Sequence, residues 1–386
     1  MPAESLQAII DLIGSVPART PTLRRDLPVI IYGAGNAGQD LLEVLAKNGF
    51  SVLAFLDEKA RAEEYEIRGL PVRAPESEFL SLEDRRNTQV AIGIFNKYAD
   101  IESVAALLRK LGYVHIMTFN EIYEQFGDGL GDRFWLAPKA YYKDHIESIP
   151  AAYDLWADGG SRDLYTALLR FRITGDYSVL PEPDQSRQYF PADLPPWRTP
   201  VRFVDCGAFD GDTIVQLLET GLAIDAVAAF EPDAANFEAL SRFIDEKRAL
   251  MPKTVYLFPN CVHSSSSVLR FRAGRGSGSH ASDSGETELP CVSLDEALPE
   301  FNPSLIKMDV EGAEYDALMG ARRIIAQSRP GLAVCVYHRP DDLWRIPLLM
   351  VSLAPGGRMF LRLHGINGFE AVAYLVPDET MALSGA

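Results

Sequence analysis

Residues 202–233 read RFVDCGAFDGDTIVQLLETGLAIDAVAAFEPD, and the fold turns on them. The apolar pair Phe203-Val204 ends in an acid, Asp205. A glycine turn follows, Gly207-Ala208-Phe209-Asp210-Gly211, and opens a segment of helical spacing. A second apolar run, 226–230, ends in Glu231, 24 positions after the first glycine. This predicts strand, glycine turn, helix, strand, the unit that holds a nucleoside at the carboxyl ends of parallel strands. Without Cβ, the glycines let backbone approach a ligand closely. An acid closing the second strand can accept hydrogen bonds from a ribose hydroxyl pair.

The turn is not a dinucleotide fingerprint. That fingerprint seats pyrophosphate on a helix N-terminus. Here Asp205, Asp210 and Asp212 surround the turn, and their charge would repel a pyrophosphate. Three carboxylates suit a ligand with a cationic end, such as the ammonium and sulfonium of S-adenosylmethionine.

Four stretches carry a family resemblance: VDCGAFDGDT at 204–213, FEPD at 230–233, IKMDVEGAEYDAL at 306–318 and VYHRPDDLW at 336–344. In this order they resemble the FkbM-type methyltransferases, which use S-adenosylmethionine, over roughly half the chain. The resemblance implies O-methylation of a sugar, glycan or other hydroxyl-bearing metabolite. It also implies a class I methyltransferase sheet over 201–386, with a final antiparallel strand. Apolar runs at 255–258, 305–308 and 332–337 read as further strands, and 358–363 with 369–376 as a closing pair.

A second unit of this kind stands at the front. Val29 to Tyr32 is an apolar run, followed by Gly33-Ala34-Gly35-Asn36-Ala37-Gly38, a full G-x-G-x-x-G. Ala37, Leu41, Val44 and Leu45 stripe one helix face, and the apolar run 52–56 ends at Asp57. Strands near 90–94 and 113–119 complete a small parallel sheet, so the fold class is α/β with two Rossmann-like domains. IYGAGNAGQDLLEVLAKNGFSVLAFLDE with IRGLPV at 67–72 looks like the N-terminal domain of PglD-type sugar acyltransferases. That resemblance implies a nucleotide-linked sugar held by Gly33, Gly35, Asn36, Gly38 and Asp57. The glycines alone fit NAD equally well, but no Tyr-x-x-x-Lys follows in the register a reductase needs.

The expected domains are 1–126, a connecting segment 127–200, and 201–386. The connecting segment is dense in aromatics, among them Trp135, Tyr189 and Trp197, and reads as a core or an interdomain seam. The stretch 273–287 is rich in Gly and Ser around His280 and reads as a mobile loop, either a lid or an excursion.

A formal net charge of −17 argues against nucleic acid and against anionic lipid. Cys206, Cys261, Cys291 and Cys335 show no C-x-x-C spacing, which argues against a zinc site; three of them fall in or beside apolar strand-like runs and read as reduced core cysteines, which fits a cytoplasmic protein. No apolar run approaches a membrane span, and the N-terminus has no signal-like stretch. A homo-oligomer stays open.

Site roles follow from strand-end positions. Gly207, Ala208, Gly211 and Thr213 are expected at the methionine moiety, with Asp205 orienting its ammonium directly or through water. Glu231 should take the ribose hydroxyls, and Cys261 and Val262 should border the adenine. Asp309, Glu311 and His338 should face the acceptor, with His338 the first candidate for general base. Two carboxylates and a His could also hold a divalent metal, and metal use stays open. The competing class is a nucleotide-sugar-binding or regulatory protein without turnover, which needs no acids and base beyond the fourth and fifth strands.

Overall fold

The computed structural model describes residues 5–15, 23–272, 280–281 and 287–378. They fall into two compact units. The first comprises Met1–Ile146, Thr166–Pro181 and Ile366–Phe369; the second comprises Glu147–Tyr165, Glu182–Gly365 and Glu370–Ala386. The stretch 127–200 is thus divided between the two. Its aromatics fill both cores: Trp135 packs on Phe369 in the first, at 4.5 Å between ring centroids, and Trp156 on Tyr165 in the second, at 5.9 Å.

The first unit holds six strands: β1 (Val29–Tyr32), β2 (Val52–Leu56), β3 (Tyr65–Ile67), β4 (Leu70–Arg73), β5 (Gln89–Ile92) and β6 (His115–Met117). Their order is β3-β4-β2-β1-β5-β6, parallel except for the β3–β4 pair. β1 and β5 are buried at every residue. Such continuous apolar strands belong in a sheet covered on both faces. The β3–β4 hairpin was not read from the sequence. Its turn is Arg68-Gly69, both at positive φ (52° and 79°), which two-residue hairpin loops demand. Arginine is an unusual residue there, so the turn left no strong signal.

The second unit holds β7 (Val201–Cys206), β8 (Ile224–Phe230), β9 (Thr254–Phe258), β10 (Cys261–Val262), β11 (Ser267–Arg272), β12 (His280–Ala281), β13 (Thr287–Val292), β14 (Leu305–Met308), β15 (Gly331–Cys335), β16 (Arg358–Leu363) and β17 (Ala371–Val376). Seven of them form one sheet in the order β16-β17-β15-β14-β7-β8-β9. The strands from β15 to β9 are parallel, and β17 runs antiparallel to both its neighbours. This is the methyltransferase sheet expected from the motifs.

The other four strands form a small sheet, β10-β13-β11-β12. It corrects one expectation. Cys261 stands directly opposite Cys291 in the β10–β13 pair, their Cα atoms 4.4 Å apart, and the two form a disulfide. Only a cross-strand register 30 residues apart brings them together, so spacing alone could not pair them. Cys206 and Cys335 are free and buried, as expected. The expected loop 273–287 lies outside the described residues except for His280, Ala281 and Thr287, whose backbones lie in strands. Among the described residues, no helix is long and apolar enough to cross a membrane.

Candidate functional site

The glycine turn leaves β7 and is held from several sides. Asp205 is fully buried, and its Oδ1 lies 3.0 Å from Nζ of Lys307 on β14. Lys307 also donates to the carbonyls of Gly207 (2.5 Å) and Cys206 (3.4 Å). Burial lifts the Asp205 carboxyl to about 6, against the pull of Lys307. Burial works against charge on Lys307, but Asp205 and Asp309 outweigh it and raise its pKa. Sequence reading passed over Lys307. Its only signal was a cation inside the apolar strand LIKM, where a charge needs a partner.

Gly207 has φ 82°, and a Cβ on it would come 1.9 Å from the Asp309 carbonyl oxygen. The glycine turn and the loop after β14 therefore meet backbone to backbone. Ala208 is buried, and its amide donates to the Phe230 carbonyl at 3.0 Å. Gly211 caps the helix Asp212–Glu219, in whose first turn Thr213 is buried.

Glu231 bridges the turn at the end of β8. Its Oε2 accepts from the Phe209 amide and its Oε1 from the Asp233 amide, both at 2.9 Å. Burial raises its pKa against the pull of these amides. Phe209 itself stands 52% exposed at positive φ, at the tip of the turn. Cys261 is in the disulfide and Val262 is buried beside it.

Asp309, Glu311 and His338 come together past the ends of β14 and β15. The His338 ring is buried, and carboxylates face both of its nitrogens. Nδ1 lies 2.8 Å from Glu314 Oε1; Nε2 lies 3.4 Å from Asp309 Oδ1 and 3.7 Å from Glu311 Oε2. Burial opposes a charge on the ring, but Glu314, then Asp309 and Glu311, outweigh it and raise the imidazole to about 10. The surrounding carboxylates thus favour the imidazolium. Glu311 sits at the rim with its side chain 48% exposed, on backbone at φ 53°. Its recessed surroundings raise its carboxyl to about 7, helped by Asp309 and Glu314 and opposed by His338.

Two members of this cluster were not singled out in the sequence. Glu314 is fully buried and also accepts from the Val310 amide at 2.8 Å. Tyr189 donates its hydroxyl to Asp309 Oδ2 at 2.9 Å, and its carbonyl accepts from the Trp197 indole at 3.2 Å. It is one of the aromatics expected in a core or seam.

Asp309, Glu314 and His338 offer atoms within 4.8 Å of one another, near enough to ask whether a metal fits. Glu314 Oε2 is buried without a hydrogen-bond partner and could serve as a ligand atom. Glu314 Oε1 already receives the Val310 amide and faces the imidazole nitrogen at hydrogen-bond distance. A cation would have to displace the proton that this arrangement holds on the ring.

In the first unit, the turn after β1 has the same construction. A Cβ on Gly38 would come 1.9 Å from the Gly33 carbonyl, so helix and turn are in backbone contact. Asp57 Oδ2 accepts from the Ala34 amide at 2.9 Å, and its Oδ1 from the Lys59 amide at 2.9 Å. Gly35 caps the helix Asn36–Lys47, and no atom lies within 4 Å of a Cβ placed on it. Asn36 is exposed beside it. A cavity of about 910 Å³ in the second unit lies at the opposite end of the sheet, beside Ser304 and Gly331 at the amino ends of β14 and β15.

Residues 205–366 match the model of the methyltransferase FkbM domain. The methyltransferase FkbM from Methylobacillus flagellatus KT has a similar fold, with a TM-score of 0.76 over 96% of this chain and 97% of that one, at 21% identity. No curated protein matches the chain in sequence.

Proposed function

We propose that the chain is an S-adenosylmethionine-dependent O-methyltransferase acting on a hydroxyl of a sugar, glycan or related metabolite. One observation carries the reading. An acid-bridged glycine turn stands in backbone contact with a loop bearing Asp309 and Glu311, and His338 faces both acids. A protein that only bound a nucleoside would have no use for the second half.

The turn fits the cofactor. The buried Glu231 carboxylate at the turn can exchange an amide for ribose hydroxyls. Asp205, Gly207, Ala208, Gly211 and Thr213 shape the methionine end, and Val262 with the Cys261–Cys291 disulfide lies toward the base. When bound, the cofactor supplies an electrophilic methyl group on a sulfonium.

The chain's own residues then place and deprotonate the acceptor. A hydroxyl attacks well only as its proton leaves. His338 was the first candidate to take that proton, and its carboxylate partners raise its pKa and favour the protonated ring. Glu311 is the exposed member of the cluster, and it takes the acceptor proton at a carboxylate oxygen. The imidazolium steadies the charge of Glu311 and Asp309, and near-attack placement supplies much of the rate.

For the first unit, the reading is a nucleotide-linked sugar on the Gly33 turn with Asp57 near the ribose. The PglD-type resemblance and the open position over Gly35 support it. The Cys261–Cys291 disulfide weakens the expectation of a cytoplasmic location; thiol counting after rapid alkylation in cells decides it. The whole reading is tested by mass spectrometry of nucleotide sugars and glycans incubated with the protein and S-adenosylmethionine. A mass gain of one methyl group on an acceptor, absent without protein, supports it. Cofactor binding with no acceptor methylated across the panel would favour a binder instead.

A further inference from the structure

Lys307 is a buried cation that the proposed reaction does not use. It sits at the third position of β14, 2% exposed, inside a parallel sheet. A charge there is expensive, and apolar side chains in place of both Lys307 and its partner Asp205 would pack about as stably as the pair. An ammonium has three donors, and Lys307 has three oxygens around it: Asp205 Oδ1 at 3.0 Å, the Gly207 carbonyl at 2.5 Å and the Cys206 carbonyl at 3.4 Å. The Tyr189 ring, 5.2 Å from Nζ to its centroid, covers it further.

Two of those three oxygens belong to the backbone that begins the glycine turn. From the other side, the amides of Gly207 and Ala208 both donate to the Phe230 carbonyl at the end of β8. The turn is thus clamped through its amides by one neighbouring strand and through its carbonyls by the other. Asp205, meanwhile, has no exposed surface with which to meet a ligand.

We propose that Lys307 is a positioning residue for the cofactor turn, and that Asp205 acts on the cofactor through Lys307 and the turn, without touching it. The proposal rests on the cofactor reading given above and replaces the expected contact between Asp205 and the methionine ammonium. It makes opposite demands from direct contact. If Asp205 met the ammonium, freeing its carboxylate from Lys307 would preserve or strengthen binding. If Lys307 positions the turn, losing it weakens binding even with Asp205 intact.

The test uses the full chain with Lys307→Met, and with the Asp205→Asn/Lys307→Met pair, which leaves no buried charge uncompensated. S-adenosylmethionine affinity is read by calorimetry, amide hydrogen exchange over 207–211 by mass spectrometry, and folding by urea denaturation. The double variant is expected to fold with stability near that of the parent. It should bind S-adenosylmethionine at least about ten-fold more weakly, a loss of the size one charge-assisted hydrogen bond gives, with faster exchange over 207–211. A folded double variant with parental affinity and parental exchange would overturn the proposal, as would Lys307→Met binding as tightly as the parent. If Lys307→Met does not fold, exchange over 207–211 in the double variant decides, because direct contact by Asp205 would weaken affinity there but leave that exchange at the parental rate. If the parent itself fails to bind S-adenosylmethionine, the cofactor reading falls, while exchange over 207–211 in the double variant still decides whether Lys307 holds the turn.

Discussion

Replacing Glu314 by Gln isolates the charge beneath His338. Glu314 is fully buried, and its Oε1 faces Nδ1 of His338 and accepts from the Val310 amide, both at 2.8 Å. Gln keeps the shape and one carbonyl oxygen, so the amide stays satisfied and chiefly the ionic part is lost. Breaking a buried ion pair outright costs about 3–5 kcal/mol. A charge-assisted hydrogen bond is worth about 1.5–3 kcal/mol. Asp309 and Glu311 still face the ring, so about 2–3 kcal/mol is expected at low pH. The sign follows from the imidazole, raised from 6.5 to about 10 in the folded chain. Stability from such a group is fully present below its unfolded pKa and is lost as pH rises through the folded one. Urea denaturation of parent and variant, followed by tryptophan fluorescence, should show a wide gap at about pH 6 that narrows toward about pH 10. A gap of the same size at both ends, or none at about pH 6, would refute the assignment of Glu314 as the counter-ion of His338.

Glu231→Ala should weaken S-adenosylmethionine binding by about 1.5–3 kcal/mol, roughly ten- to a hundred-fold, by calorimetry; unchanged affinity in a folded variant removes Glu231 from the site. Methyl transfer should rise as Glu311 loses its proton, with an acid limb near the value of about 7 its surroundings impose, and Glu311→Gln should lose most of the rate together with that limb. A limb near 10 would instead return the base role to His338. Treatment with a chelator should leave the rate unchanged; loss of activity restored by a divalent ion would show that the Asp309–Glu314–His338 cluster holds a metal after all. In a thermal-shift screen, nucleotide sugars should stabilise the full chain and NAD should not; the reverse would give the front turn to a dinucleotide.

Most of the sheet was legible because its central strands are largely apolar, each ending in or beside an acid. β7 ends beside Asp205, β8 before Glu231, β14 before Asp309. What escaped was whatever depends on register or on partners across the chain. The Cys261–Cys291 bond needs two short strands to lie side by side. Lys307 looked like one polar residue in a strand, and only its neighbours on β7 give it a purpose. Glu314 lay in plain view inside a matched motif. Its role needed the turn that brings Val310 back to it, four positions away, and the arrival of His338 from β15. The acids expected at the strand ends were found there, but the sequence could not show that Asp205 is buried.

The division of the chain has a consequence for how it is made. Four residues, Ile366–Phe369, complete the first unit, with Phe369 against Trp135, although most of that unit lies before Ile146. A ribosome must therefore translate through Phe369 before these four residues can join the first unit. The same threading defeats a simple dissection. A fragment cut at Pro200 to isolate the back half would leave behind Tyr189, whose hydroxyl donates to Asp309, and so would lack one of the supports of that carboxylate.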